Sequence, residues 1–197
     1  MIRFTTQLMM GLIAAACWAP ALLAAEVSGV QIGESAQVTP AGPALLLNGA
    51  GLRQRLVFKV YAMGLYLRAK TGDAAEAIAT PGPKRVAIHM LRDVTAEQFT
   101  DALVEGIREN HNESEFRAFE PRTRELVALM AEIKEAKKGM AISLDWLPET
   151  GTVITVDGRV RGKPIPGEDF YRALLRIWLG ERPATADLKK ALLGQPS

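Results

Sequence analysis

Side chains able to perform chemistry are few in this sequence, and their spacing excludes more reactions than it suggests. The two histidines, His89 and His111, stand in no metal-ligating pattern such as HExxH. His89 falls in an alternating apolar segment, where an imidazole is a structural residue, and His111 falls in the polar run from Asn110 to Glu115, where solvent is expected around it. Ser114 and Ser143 lack the glycine elbow that presents a hydrolase nucleophile. Gly49-Ala50-Gly51 is continued by neither GxGxxG nor GxxxxGK, so it is not a phosphate loop. These patterns predict no metal and no cofactor. Two residues keep an open choice. The guanidinium of Arg53 can fork onto a carboxylate or another anion, or it can be a surface group at the start of a strand. Tyr61 can donate its hydroxyl to the same anion, or it can pack as a core residue of an apolar strand.

The chain that must position them has 197 residues, enough for one domain with a sizeable core. Its 48 % apolar and 23 % charged residues are ordinary globular proportions. A formal charge of +2, with no basic cluster able to track a phosphate backbone, argues against nucleic acid as a partner. Arg3 followed by an uncharged run from Leu8 to Leu23, ending in Ala24-Ala25, has the layout of a secretory signal peptide. Residues 1–25 are therefore expected to be removed, leaving a domain over 26–197 in the periplasm with no stable membrane span. Cys17, the only cysteine, lies inside this leader; lipidation there is the alternative, although Ala14 occupies the place where a lipoprotein signal favours leucine. Cleavage after Ala25 leaves a nearly neutral chain with no thiol for disulfide, nucleophile or metal ligand.

Along that domain, Val27–Gly42 reads as a short edge strand and loop, Leu45–Leu47 as a buried strand, and Asn48-Gly49 as a turn. Leu56–Leu67 is a strand buried on much of both faces, the expected centre of a sheet. Val86, Ile88 and Met90 mark another strand. Thr95 caps a helix whose apolar face carries Phe99, Leu103 and Ile107, and a second helix is expected from Pro121 to Gly139. Met140–Trp146 and Thr152–Val156 form an antiparallel pair, Asp157-Gly158 begins a further hairpin, and helices close the chain through Phe170–Trp178 and Leu188–Leu192. The class is α+β, with a large antiparallel sheet covered on one face by helices.

Three stretches, LNGAGLR at Leu47–Arg53, KVYAMGLYL at Lys59–Leu67 and the run from Gly162 to Gly194, resemble the chalcone isomerase-like family, in particular its exported bacterial branch. The resemblance covers Val27 to Gly194. It implies an open-faced β-sandwich with an apolar ligand cleft between sheet and helices. It also implies that Arg53, after Gly49-Ala50-Gly51, takes the place of the arginine that holds a developing anion in the plant isomerases; Arg55 is the alternative because the following segment is shorter than theirs. The family's threonine, tyrosine, asparagine and second threonine fall on Tyr61, Phe99, Gly106 and Ile177, so several polar groups of the isomerase cleft are replaced. An arginine beside a tyrosine resembles instead the fatty-acid-binding branch of the fold. The implied function is binding of a small apolar carboxylate through Arg53, Tyr61, Phe99 and Ile177. An intramolecular lyase of the chalcone isomerase type and a non-catalytic envelope interaction module are the alternatives.

Overall fold

The structure, a computed structural model, describes residues 24–195. The leader expected over residues 1–25 and its Cys17 therefore lie outside the described residues, except for Ala24 and Ala25. The chain order is β1 (Ala24–Val27), β2 (Val30–Gly33), β3 (Ser35–Ala36), β4 (Leu45–Arg55), β5 (Phe58–Leu67), α1 (Ala74–Ala79), β6 (Lys84–Met90), β7 (Val94–Thr95), α2 (Ala96–Glu109), α3 (Glu113–Ile133), β8 (Glu135–Ala136), β9 (Ala141–Leu147), β10 (Gly151–Val156), β11 (Arg159–Ile165), α4 (Glu168–Leu179) and α5 (Ala186–Leu192). A seven-stranded antiparallel sheet runs β11-β10-β9-β6-β5-β4-β3, with β1-β2 and β7-β8 as two small ribbons.

Alternation along β5 builds two cores from one strand. Tyr61, Met63, Leu65 and Leu67 join the large helix-side core, whereas Ala62 and Tyr66 join a smaller one with Ile32, Leu45 and Leu47 beneath the β1–β2 hairpin. The neighbouring strand β4 is not interrupted at Asn48-Gly49, as the turn signal there suggested; it continues through a bulge between Leu47 and Gly49. The extra residue, Asn48, changes which face the later residues occupy. Leu45 and Leu47 face the small core, but Gly49, Gly51 and Arg53, which share their parity, face the helices. The Asn48 side chain is buried and bound: its Nδ2 donates to the carbonyls of Thr71 (3.0 Å) and Leu192 (2.7 Å), and its Oδ1 accepts from the Thr71 N–H. Those bonds hold the bulge, so the residue type that signalled a turn serves a different backbone need. Leu56 and Val57, assigned to a strand by their apolar character, form the two-residue connection between β4 and β5.

The helices pack where the sheet presents small residues. A Cβ on Gly49 would collide with the Ala191 carbonyl oxygen, and one on Gly51 would lie 2.7 Å from the Ala191 side chain, so α5 rests almost directly on β4. Gly106 of α2 plays the same part toward α4, since its Cβ would lie 2.8 Å from Cγ2 of Ile177. Thr95 caps α2 as expected, accepting from the Gln98 N–H at 3.2 Å. The next helix begins eight residues before Pro121: Asn112 and Glu115 form a reciprocal capping box, and Pro121 lies inside α3. The polar run that contains His111 is thus a helix start. His111 itself is half-buried rather than solvated, its Nδ1 2.8 Å from the Ile107 carbonyl and its ring edge-on to Phe119 at 5.1 Å.

Candidate ligand-anchoring site

Arg53 and Tyr61 are directly opposite one another on β4 and β5, and both point to the helix side. Directly opposed residues bring their Cβ atoms to about 5 Å. Tyr61 is 9 % exposed and its hydroxyl oxygen accepts a 2.9 Å bond from Nε1–H of Trp178 on α4. Burial pushes the Tyr61 phenol up; the Trp178 bond and then the Arg53 guanidinium, by its charge and by hydrogen bonding to the phenol, act downward but less. The group is therefore a neutral hydroxyl at physiological pH. With its oxygen already accepting, its own proton has no acceptor among the described residues. Arg53 is half-buried, donates from Nη1 to the Gln54 carbonyl at 3.1 Å, and forms no ion pair among the described residues. Its remaining N–H groups and the Tyr61 O–H make a donor-only pair suited to an anion.

The remaining expected residues are placed differently. Arg55 is exposed and paired with Phe58 at the end of the hairpin. Ile177 is buried in the α2–α4 contact against Gly106. Phe99 is half-buried and lines, with Met130, Ile133 and Ile142, a cavity of about 10 Å³, room for one water at most. A second, open depression of about 1060 Å³ lies between α1, the end of α2 and the outer side of α4. Neither space is lined by Arg53, Tyr61 or Ile177; at Tyr61 the layer between sheet and helices is occupied by Trp178. Trp178 is the residue that reasoning from sequence did not single out. Its signal was available, because a buried indole N–H favours an acceptor and a tyrosine hydroxyl can supply one.

His89 on β6 is half-buried, and burial alone shifts it downward, in keeping with a structural imidazole. No group of three or more His, Cys, Asp or Glu able to hold a metal occurs among the described residues. No described helix is long and apolar enough to cross a membrane.

A curled antiparallel sheet with helices on one face is an open-faced β-sandwich of the chalcone isomerase type. The chain belongs to the chalcone isomerase-like family, whose profile matches residues 24–194. Among solved structures it is similar to a fatty-acid binding protein of Arabidopsis thaliana, with a TM-score of 0.66 and 14 % identity over 84 % of this chain and 92 % of that one. No curated protein matches the chain by sequence.

Proposed function

We propose that this protein is exported to the periplasm and binds a fatty acid or similar apolar carboxylate, with Arg53 and Tyr61 holding the head group and no chemistry following. The observation that carries this reading is the pairing of a cation and a hydroxyl that, among the described residues, have no counter-ion and no acceptor for the proton respectively. The similar Arabidopsis protein, described as fatty-acid binding, supports the ligand class. An isomerase has less support. Phe99, Gly106 and Ile177 offer no polar side-chain group where the plant enzymes have them, and preorganised donors are the main source of such catalysis. Tyr61, held neutral by burial, is a donor and not a base.

An acid entering beside Tyr61 has to meet the Trp178 indole, so binding should alter that residue's fluorescence. Calorimetry on the native protein, Arg53→Ala and Arg55→Ala, each with a long-chain acid and its methyl ester, tests the anchor. Apolar burial contributes about 0.8 kcal/mol per CH₂ to both ligands, whereas a charged hydrogen bond adds about 1.5 to 3 kcal/mol for the acid alone. Arg53→Ala should weaken the acid by about 10- to 100-fold and leave the ester nearly unchanged. Equal losses for acid and ester would remove the anchoring role, and a larger acid-specific loss at Arg55 would transfer it there.

A further inference from the structure

The β4–β5 connection presents three consecutive large apolar side chains to solvent: Leu56 is 85 % exposed, Val57 80 % and Phe58 55 %. Folding buries little of Leu56 and Val57, and the backbone at Leu56 is not suited to its side chain either. Leu56 has φ +55°, a left-handed conformation that costs a side chain about 1 to 2 kcal/mol and that glycine or asparagine would adopt more readily in a two-residue hairpin. A polar tip would therefore be both more soluble and less strained.

The surroundings of the tip are basic. Arg55 and Lys59 are exposed on its two strands, and the Arg92 guanidinium lies over the Phe58 ring at 5.0 Å. Between Glu34 and Asp73 the sequence contains no acidic residue. The acid beside Arg92, Asp93, is occupied by the backbone N–H of Lys138 at 2.7 Å. The β10–β11 turn, at the same end of the antiparallel sheet, repeats the pattern on a smaller scale: Val160 is 61 % exposed between Arg159 and Arg161.

We infer that this end of the sheet docks on an anionic phospholipid surface, with Leu56, Val57 and Phe58 entering the acyl boundary and Arg55, Lys59 and Arg92 meeting the phosphates. Apolar side chains flanked by cations are the combination that an anionic bilayer interface rewards, by burial below the headgroups and by attraction above. A protein partner of opposite charge would use the cations but would need an apolar pocket for the tip. The docking is separable from acid binding, which depends on Arg53 and Tyr61; the two meet only in that Arg53 lies three residues from the tip.

Flotation of the purified protein with phosphatidylcholine vesicles, with and without phosphatidylglycerol, tests the inference. Native protein should float with the anionic vesicles and not with the neutral ones, and added salt should release it. The double variant Leu56→Asn, Val57→Ser should lower the partition by about tenfold or more. Lys59→Ala should lower it by about fivefold. The double variant should keep its thermal midpoint, because asparagine accepts the left-handed conformation, and should bind a long-chain acid in detergent-free buffer as the native protein does. Failure of the native protein to float, or flotation of the double variant at the native level, would overturn the assignment. So would loss of a self-associated species in sedimentation velocity on substituting the tip, with vesicle binding unchanged, since the tip would then be a protein contact. Loss of acid binding in Arg53→Ala with flotation intact would leave the docking assignment standing, and failure of acid binding in the native protein would affect only the ligand reading.

Discussion

Arg53 and Lys84 are cations held in opposite ways. Arg53 keeps part of its surface in water and has donors to spare, whereas Lys84, at the start of β6, is 1 % exposed and its Nζ finds no hydrogen-bond partner among the described residues. Its nearest anion, Glu168, is 3.9 Å away and is shared with Arg172 at 2.9 Å. Burial lowers the Lys84 pKa to about 8, Glu168 raises it less, and Arg172 lowers it further. Unfolded lysine holds its proton to about 10.5, so between about 8 and 10.5 the unfolded chain binds more protons and rising pH favours the folded state. Below pH 8 both states carry the charge and the folded state bears its burial cost. Lys84→Met should then stabilise the protein by about 1 to 3 kcal/mol at pH 7, since Glu168 retains Arg172 as a partner. The advantage should shrink as pH rises toward 10, measured as the difference between native and variant in urea unfolding. A variant less stable at pH 7 would show that Lys84 has a partner this geometry does not reveal. Arg53 and Tyr61 were legible in the sequence as residue types able to hold an anion. That they stand side by side was implied by the family resemblance alone, because pattern reading does not give register.

Register is a property of elements, and here it turns on one residue. Period-two reading of β4 puts Leu45, Leu47, Gly49, Gly51 and Arg53 on one face; the bulge at Asn48 divides them and sends Arg53 to the helix side. Asn-Gly is among the strongest turn signals, yet the bonds that stabilise this bulge come from residues 23 and 144 positions away, which no local window contains. Pro121 was misleading for a related reason: it is acceptable in a first turn, but the Asn112–Glu115 box satisfies the helix amides earlier and α3 accommodates the missing N–H. Elements set by local periodicity alone, such as β6, β9, α2 and α4, were legible to within a few residues. Asn48→Ala should cost about 1 to 3 kcal/mol, because it leaves buried backbone groups without partners. Gly49→Ala should cost a similar amount by pushing α5 off β4. Chemical unfolding at equilibrium measures both, and a neutral Asn48→Ala would mean that the bulge is held by the glycines and not by the amide.

At the scale of the molecule, helices cover one face of the sheet and the β1–β2 hairpin packs on the other, and the expected leader ends inside that hairpin. β1 pairs Ala24 with Gly33, Ala25 with Ile32, Glu26 with Gln31 and Val27 with Val30. Cleavage after Ala25 would remove the first two pairs and keep the Glu26–Gln31 side-chain bond at 3.0 Å and the turn at Ser28-Gly29. Ile32, at 1 % exposure, would still cover Leu45, Leu47 and Tyr66 from β2, and the Tyr66 hydroxyl would still donate to the Gly33 carbonyl at 3.0 Å. A chain beginning at Glu26 should therefore unfold within about 1 kcal/mol of one beginning at Ala24, as expected when small, partly exposed terminal residues are lost. A chain beginning at Glu34 should lose several kcal/mol, since it strips Ile32 from Leu45 and Leu47, and removal of one large buried aliphatic costs about 2 to 5 kcal/mol. Amino-terminal sequencing of protein recovered from the periplasm fixes the cut, and thermal unfolding of the three chains fixes its consequence. Recovery of intact Met1 from cells would remove the export proposal, and a chain from Glu26 as unstable as the chain from Glu34 would show that the cut cannot fall after Ala25.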